Sequence, residues 1–166
     1  MPESIDQIVF YGTLMRGSRP FLGAQENIPL LGEKIRFVRE CQIAGRLFDI
    51  GRYPGLVETA IARHPPQVDG ELYEILDTQV IDWLDEYEGF YRDAPDVSRY
   101  IRKSIVLIND ANIRAWCYFY NAPIDDCEYI DSGSWRAHAA KKQSIRCLDR
   151  GYPTHRTDCR RVKSSK

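Results

Sequence analysis

The alternation of apolar and polar residues predicts a chain that is rich in β-strands. Residues 7–12 form a short apolar run that ends at a glycine, which is typical of a buried first strand. Residues 35–48 alternate between apolar and polar positions on both sides of Gly45, which predicts one long strand that is bent or bulged there. Further strand patterns cover residues 56–63, 68–75, 99–110 and 113–122.

The spacing of these strand patterns favours antiparallel pairing. Only the four residues "HPPQ" separate residues 56–63 from residues 68–75, and this predicts a β-hairpin. Parallel neighbours would need a helix between each pair of strands, and most of the links are too short for one. About six strands with glycines inside them therefore predict a closed or nearly closed, mostly antiparallel β-barrel.

One internal helix is predicted between the strands. Asp77 can cap its first turn, and Gly89 supplies its stop. The apolar residues between them recur at helical spacing, so Asp82, Asp85 and Glu86 are expected to face mostly away from the interior. The apolar stripe consists of Val80, Ile81, Leu84 and Tyr87.

A short final helix is predicted from Trp135 to about Lys142, with Ser134 as its cap. The fold class is therefore mixed α/β (α+β): a small barrel with an internal helix and a short C-terminal helix. We expect one domain over residues 1–142, because 166 residues of which 43% are hydrophobic suit one core with a pocket. Residues 143–166 are expected to form a basic, poorly ordered extension.

The charge of the chain is unevenly distributed. Residues 141–166 carry nine Lys or Arg against two Asp, so this tail has a net charge of +7 and the rest of the chain −8. Such a tail can be a nucleic-acid arm or an extension that keeps an acidic domain soluble. Aromatic residues and base-reading motifs do not accompany the charge, so we favour the second interpretation and do not expect a nucleic-acid partner.

The sequence also limits cellular context and cofactors. The chain has no apolar run near the ~20 residues that a transmembrane helix needs, and its start lacks a secretory signal, so we expect a cytoplasmic protein without membrane contact. We expect a monomer or weak homodimer. The cysteines and histidines show no disulfide or metal-ligand spacing, so we expect no metal and no cofactor. They are Cys41, Cys117, Cys127, Cys147, Cys159, His64, His138 and His155.

Glu88 occupies an unusual position for an acid. It ends the predicted helix, where the helix dipole is negative and a basic residue would be more stabilising. A solvated surface glutamate is the ordinary interpretation. However, Glu88 lies on the same side as Asp85 and on the edge of the stripe near Leu84, so its carboxyl group can reach the interior. Low polarity, the helix end and neighbouring acids would all raise its pKa, as a general base requires.

A second candidate feature lies where the first strand ends, in "FYGTL" at residues 10–14. Because Gly12 lacks a Cβ atom, a ligand oxygen can approach the backbone N–H groups of Thr13 and Leu14, and Thr13 adds a hydroxyl group. This segment is either a cradle for an oxyanion or a carboxylate, or simply a glycine turn at a strand end.

Several stretches together resemble the gamma-glutamylcyclotransferase-like family, in the order in which that family has them. The likeness extends over residues 7–140. The matching stretches are "VFYGTLMRG", "GRYPGLV", "VDGELYEI", "LDEYEGF", "YIRKSIVLI", "AWCYFYNAPI" and "SGSWRAH".

The resemblance implies a β-barrel fold with a cavity between the first loop and the internal helix. It also implies an enzyme that cyclises a γ-glutamyl amine or γ-glutamyl amino acid to 5-oxoproline and releases the free amine. Glu88 matches the family's catalytic acid/base. The substrate-binding positions that the resemblance implies are Tyr11, Gly12, Thr13 and Leu14, with Tyr53, Tyr118 and Tyr120 as further cavity residues.

Two alternatives stay open on the sequence alone. The chain can be a non-catalytic module that binds a small metabolite on the same fold. Arg102 is either a surface arginine of a strand or a buried charge near the cavity that orients a carboxylate. The identity of the γ-glutamyl substrate is open as well, because the family acts on amino acids, isopeptides and biosynthetic intermediates that carry the γ-glutamyl group.

Overall fold

The computed structural model describes residues 5–18, 28–60 and 62–149. These residues form eight strands, three α-helices and one 3-10 turn at Pro95–Val97. The strands are β1 (Gln7–Phe10), β2 (Ile35–Ala44), β3 (Arg46–Asp49), β4 (Pro54–Val57), β5 (Gln67–Ile75), β6 (Tyr100–Leu107), β7 (Asp110–Tyr120) and β8 (Glu128–Tyr129). The helices are α1 (Ile28–Lys34), α2 (Val80–Glu88) and α3 (Trp135–Asp149).

The strands form two sheets. Five strands pair in the order β2-β5-β1-β7-β6, and three pair in the order β4-β3-β8. All pairs are antiparallel except that of β1 with β7, which is parallel with Ile8 opposite Trp116. The mixed α+β class is therefore confirmed, and the sheets are mostly antiparallel as predicted.

The long strand predicted over residues 35–48 is divided at Gly45, where the chain passes from one sheet to the other. β2 lies in the five-stranded sheet and β3 lies in the three-stranded sheet. A Cβ atom on residue 45 would lie 2.5 Å from Cδ1 of Leu56, so only glycine fits at this crossing. The predicted interruption is confirmed, and its physical reason is the close approach of β4.

The predicted hairpin between residues 56–63 and 68–75 is wrong. β4 pairs with β3, with Pro54 opposite Asp49, and the hairpin turn is formed by residues 50–53. β5 pairs instead with β1 and β2. Short spacing made a local hairpin plausible, but packing against distant strands decides which strands pair.

The predicted closed or nearly closed barrel is not confirmed, because strand pairing does not close the five-stranded sheet among the described residues. β2 and β6 are the edges of the five-stranded sheet, and two contacts join β2 to the region of the turn between β6 and β7. There the backbone N–H of Ile108 donates to the carbonyl of Gln42 at 3.2 Å, and Nη2 of Arg39 lies 3.2 Å from Oδ2 of Asp110. The sheet is therefore open, with its edges bridged near that turn.

One hydrophobic core joins both sheets and the helices. Ile8, Leu56, Leu72 and Leu84 come from four different elements, and none of them is exposed to solvent. Burial of such side chains contributes about 1.5–3 kcal/mol each to folding. α2 thus turns its apolar stripe inward as predicted, and this fixes which side of its last turn faces the interior.

Helix α3 runs to Asp149, seven residues beyond the predicted end at Lys142. The expected start of the extension at residue 143 therefore lies inside a helix. Residues 150–166 lie outside the described residues. Among the helices that are described, none combines the length and the hydrophobicity that crossing a membrane requires.

Candidate active site

A cavity of about 280 Å³ lies between the loop after β1, the β3–β4 turn and the end of α2. Its wall carries more apolar than polar surface, which is typical of a site for a small molecule. The lining residues are Val9, Phe10, Tyr11, Gly12, Thr13, Leu14, Tyr53, Pro54, Tyr87, Glu88, Arg99, Tyr100 and Tyr118.

Glu88 is the last residue of α2, and the cap of this helix fixes its position. Gly89 has left-handed backbone angles, with φ 69° and ψ 41°. The N–H of Gly89 donates to the carbonyl of Glu86 at 3.1 Å, and that of Phe90 donates to the carbonyl of Asp85 at 2.8 Å. These two bonds form a Schellman cap, in which glycine is preferred because it has no Cβ atom to clash. The helix therefore ends just after Glu88, whose side chain lines the cavity.

Burial raises the pKa of Glu88 from 4.5 to about 8, and the positive charge of Arg99 opposes this rise. The sequence predicted the direction of the pKa shift. It was wrong about one cause, because the neighbouring acids do not contribute to it. A carboxyl group in a site of low polarity resists ionisation, and this is the dominant effect here.

Asp85 shows why the neighbouring acids have no such effect. Contrary to the prediction, this residue is buried, and its carboxylate is surrounded by donors. Arg102 donates from Nε at 2.8 Å and from Nη2 at 3.2 Å, Arg92 from Nε at 3.0 Å, and the Tyr118 hydroxyl at 2.7 Å. Arg102 therefore orients the carboxylate of Asp85. It does not line the cavity, near which one of the two alternatives placed it. Its charge pairs with that of Asp85 and thereby joins α2 to the sheet.

The loop after β1 packs against both α2 and the start of β4. A Cβ atom on residue 12 would lie 2.7 Å from Cγ of Pro54, so Gly12 is required for the packing of this proline. The Thr13 side chain lies near the hydroxyl of Tyr87, one residue before Glu88, and partly offsets the burial that raises the pKa of that hydroxyl. The Tyr11 hydroxyl donates to the carbonyl of Tyr118 at 2.7 Å. The loop and the helix end are therefore parts of one rigid wall.

A buried carboxylate that sequence reasoning missed anchors the same loop. Glu71 is completely buried in β5 and accepts the backbone N–H of Arg16 at 2.8 Å, the Tyr73 hydroxyl at 2.5 Å and Nη2 of Arg136 at 2.6 Å. Burial would raise its pKa, but these hydrogen bonds outweigh burial and hold the pKa below its ordinary value. In the sequence, an acid within an apolar strand was the only signal.

Not all of the tyrosines predicted for the cavity line it. Tyr53 and Tyr118 line it, but Tyr120 does not. Contrary to expectation, Tyr120 is therefore not a wall residue, and its ring packs against that of Tyr100 at 5.4 Å between ring centres. The hydroxyl of Tyr100 donates to the carbonyl of Pro54 at 2.8 Å. Tyr100 and Arg99 line the cavity and were not predicted.

The described residues also contain one group with metal-ligand atoms, away from the cavity. Asp49, Glu128 and His138 place one ligand atom each within 4.8 Å of the others. Nζ of Lys142 lies 2.5 Å from Oδ2 of Asp49, and Nε2 of His138 lies 2.7 Å from the same oxygen. The protein's own ammonium group therefore neutralises this carboxylate, as a metal ion would.

Comparison with known proteins identifies the family of this chain. The family model described as "Gamma-glutamyl cyclotransferase, AIG2-like" matches residues 8–137. The chain belongs to this family. The match includes Glu88, the loop after β1 and the cavity wall between them. A search of curated proteins found no significant match.

Solved structures of similar fold agree with this membership. An aig2-like protein from Mus musculus is 23% identical, with a TM-score of 0.54 over 76% of this chain and 86% of its own. The uropathogenic Escherichia coli-specific protein c4763 is 22% identical, with a TM-score of 0.61 over 81% and 95%. Protein ytfP from Escherichia coli is 26% identical, with a TM-score of 0.54 over 80% and 98%. The fold of this family is therefore shared along most of the described chain.

Proposed function

We propose that this protein cyclises a γ-glutamyl amine or γ-glutamyl amino acid to 5-oxoproline, with Glu88 as general acid and base. The observation that carries the proposal is a carboxyl group of pKa about 8 in the wall of a cavity that the loop after β1 completes. Membership of the family supports the reaction class.

The reaction needs no partner molecule, because the substrate carries its own nucleophile. Its α-amino nitrogen forms a bond to the side-chain carbonyl carbon, and the bond from that carbon to the amide nitrogen breaks. Because both groups belong to one molecule, the attack is intramolecular and not bimolecular, and this lowers the activation barrier substantially. No cofactor enters this scheme.

Proton transfer is the task of Glu88 in this proposal. The α-amino group is mostly protonated at neutral pH, so one proton must pass to solvent before the nitrogen can attack, and a second leaves that nitrogen as the lactam forms. A carboxyl group with a pKa of about 8 is present in both protonation states near neutral pH, so it can accept a proton and then return it to the departing nitrogen. An ordinary surface glutamate, with a pKa near 4.5, is a weaker base and would accept that proton much less readily.

The loop after β1 supplies the proposed polar contacts to substrate. The backbone N–H groups of Thr13 and Leu14, together with Tyr11 and Gly12, are the proposed binding segment, and Tyr53 is a further wall residue. Donors fixed at this position stabilise either the oxyanion that develops on the carbonyl or the substrate α-carboxylate. The rigid wall described above keeps them in place without rearrangement.

The test is a panel of γ-glutamyl dipeptides and γ-glutamyl amines, with 5-oxoproline followed by mass spectrometry. We expect turnover by the native protein and a loss of about 10²- to 10⁴-fold in Glu88→Gln, the usual size of a general acid–base contribution. Glu86→Gln is the matched control, because Glu86 is exposed on the same helix. Unchanged turnover in Glu88→Gln would remove this residue from the mechanism, and binding without turnover would favour a non-catalytic module.

The setting of the reaction is also proposed here. A cytoplasmic protein that acts as a monomer or weak homodimer on a small γ-glutamyl substrate accords with the sequence.

A further inference from the structure

Arg99 is the cationic side chain in the wall of the cavity. It is exposed to solvent and also lines the cavity, so it lies at the rim. Its backbone is fixed on both sides: its N–H donates to the carbonyl of Gly89 at 3.0 Å, and its carbonyl accepts the N–H of Asn121 at 3.0 Å. The residue is therefore held next to the helix end that carries Glu88.

The guanidinium group of Arg99 contacts an aromatic ring, and its charge acts on Glu88 without a direct ion pair between the two side chains. Its central carbon lies 5.2 Å from the centre of the Tyr53 ring, a cation–π contact that leaves the N–H edges of the guanidinium available. Among the ion pairs that the described residues form with one another, none includes Arg99. The arginines that have carboxylate partners there are Arg16, Arg36, Arg39, Arg92, Arg102 and Arg136.

The chemistry of a γ-glutamyl substrate decides which group this cation suits. The glutamyl half carries an ammonium group beside its α-carboxylate, so a guanidinium at that position would also repel the ammonium. The amine half leaves the cavity after the reaction and has no positive charge at the amide nitrogen. A carboxylate on the amine half would therefore meet Arg99 at the rim without such repulsion.

We propose that Arg99 determines substrate class by binding a carboxylate of the amine half, so that the substrates are γ-glutamyl amino acids and not γ-glutamyl amines. This inference rests on the proposed function. A planar guanidinium binds a carboxylate through two parallel hydrogen bonds, so it selects for geometry as well as for charge. Tyr53 serves as the platform that keeps the guanidinium at the rim.

The test compares two substrates that differ mainly in that carboxylate: γ-glutamyl-alanine and γ-glutamyl-ethylamide. We expect the native protein to prefer γ-glutamyl-alanine in kcat/KM. In Arg99→Gln this preference should fall about 10- to 100-fold, the range for a charge-assisted hydrogen bond. Because the ratio of the two substrates is compared, any change that the substitution causes at Glu88 cancels.

Arg63→Gln is the charge-matched control, since Arg63 is exposed and does not line the cavity. Its effect on the ratio should stay within about 2-fold, as for ordinary surface substitutions. An equal loss on both substrates in Arg99→Gln would overturn the inference, because Arg99 would then act on the glutamyl half or through Glu88. An unchanged ratio would overturn it as well.

A binding measurement separates this inference from the proposed function. Glu88→Gln and the double variant Glu88→Gln with Arg99→Gln are titrated with the same two compounds by calorimetry. Tighter binding of γ-glutamyl-alanine to the first protein, lost in the second, supports the role of Arg99 even if native protein turns over neither compound. Equal affinities in Glu88→Gln would overturn it even if turnover is seen.

Discussion

At the scale of the residue, Glu88 connects function with stability. Its carboxyl group is held where ionisation is unfavourable, and the folded protein therefore retains a proton that the unfolded chain releases. An ordinary surface glutamate has no such effect. The property that makes Glu88 a useful base must then lower stability at alkaline pH.

This gives a prediction for the pH dependence of stability. The pKa of Glu88 is raised from 4.5 to about 8 on folding, so its contribution to stability is present below pH 4.5 and is lost as pH rises toward 8. We expect Glu88→Gln to be more stable than the native protein by about 2–4 kcal/mol at pH 9, with little difference at pH 4. Urea denaturation at a series of pH values measures this.

Glu86→Gln serves again as the control, because Glu86 is exposed and its neutralisation should leave the pH dependence of unfolding unchanged. If the curves of Glu88→Gln and native protein run parallel from pH 4 to pH 9, the carboxyl group of Glu88 is not buried as described.

Sequence reasoning reached some residues of the site and missed others for a physical reason. Glu88 and Gly12 stood out because a helix end and a strand end are local features. Arg99 lines the cavity only because β6 starts beside Gly89, and Glu71 is buried only because loop and α3 both reach it. Contacts between segments distant in sequence leave no local pattern. Asp85 was misplaced for the same reason, since two of its partners, Arg102 and Tyr118, come from β6 and β7.

At the scale of the element, α2 is positioned by one buried charge. The Asp85 carboxylate joins this helix to Arg102 on β6 and to Tyr118 on β7, three residues before Glu88. The side chains of Asp85 and Arg102 are only 8% and 10% exposed. Removing one partner of such a pair leaves the other charge uncompensated.

We therefore predict that Asp85→Asn lowers the free energy of unfolding by about 2–4 kcal/mol, because Arg102 loses its counter-charge. Urea denaturation at pH 7 measures the change. Asp82→Asn is the control: its side chain is 76% exposed and pairs with Arg92 at the surface, so it should cost about 0–1 kcal/mol. Equal losses in the two variants would mean that burial adds nothing to the Asp85 pair.

Some elements were predicted correctly from the sequence, and some strand pairings were not. α2 and the pair β6–β7 followed from periodicity and a short polar link, both of which are local. The pairing of β4 with β3 and of β5 with β1 was missed. Gly45 marked the interruption in the long strand correctly, but nothing near it in the sequence shows that the chain changes sheets there.

At the scale of the whole molecule, α3 bridges the two sheets by charge. Arg136 donates to Glu71 in the five-stranded sheet at 2.6 Å. Further along the same helix, His138 and Lys142 reach Asp49 in the three-stranded sheet. Because the cavity has walls from both sheets, the helix keeps these walls together without lining the cavity itself. The sequence predicted the helix but not its role, which depends on acids far away along the chain.

The bridge to the three-stranded sheet leads to a prediction about Lys142. Asp49 is 6% exposed and takes hydrogen bonds from Lys142, His138 and the N–H of Gly51, and these outweigh burial and hold its pKa below the ordinary value. Lys142→Met should lower the free energy of unfolding by about 1–3 kcal/mol, the cost of leaving a buried charged group short of a partner. Lys141→Met removes the same charge from an exposed neighbour on the same helix and should change the free energy of unfolding by less than about 0.5 kcal/mol.

Chemical denaturation at pH 7 compares the two variants, and 5-oxoproline formation in the folded Lys142→Met protein shows whether the cavity walls keep their arrangement. Equal stability of the two variants would show that α3 is held by its apolar contacts alone, and Asp49 would then be no part of the bridge.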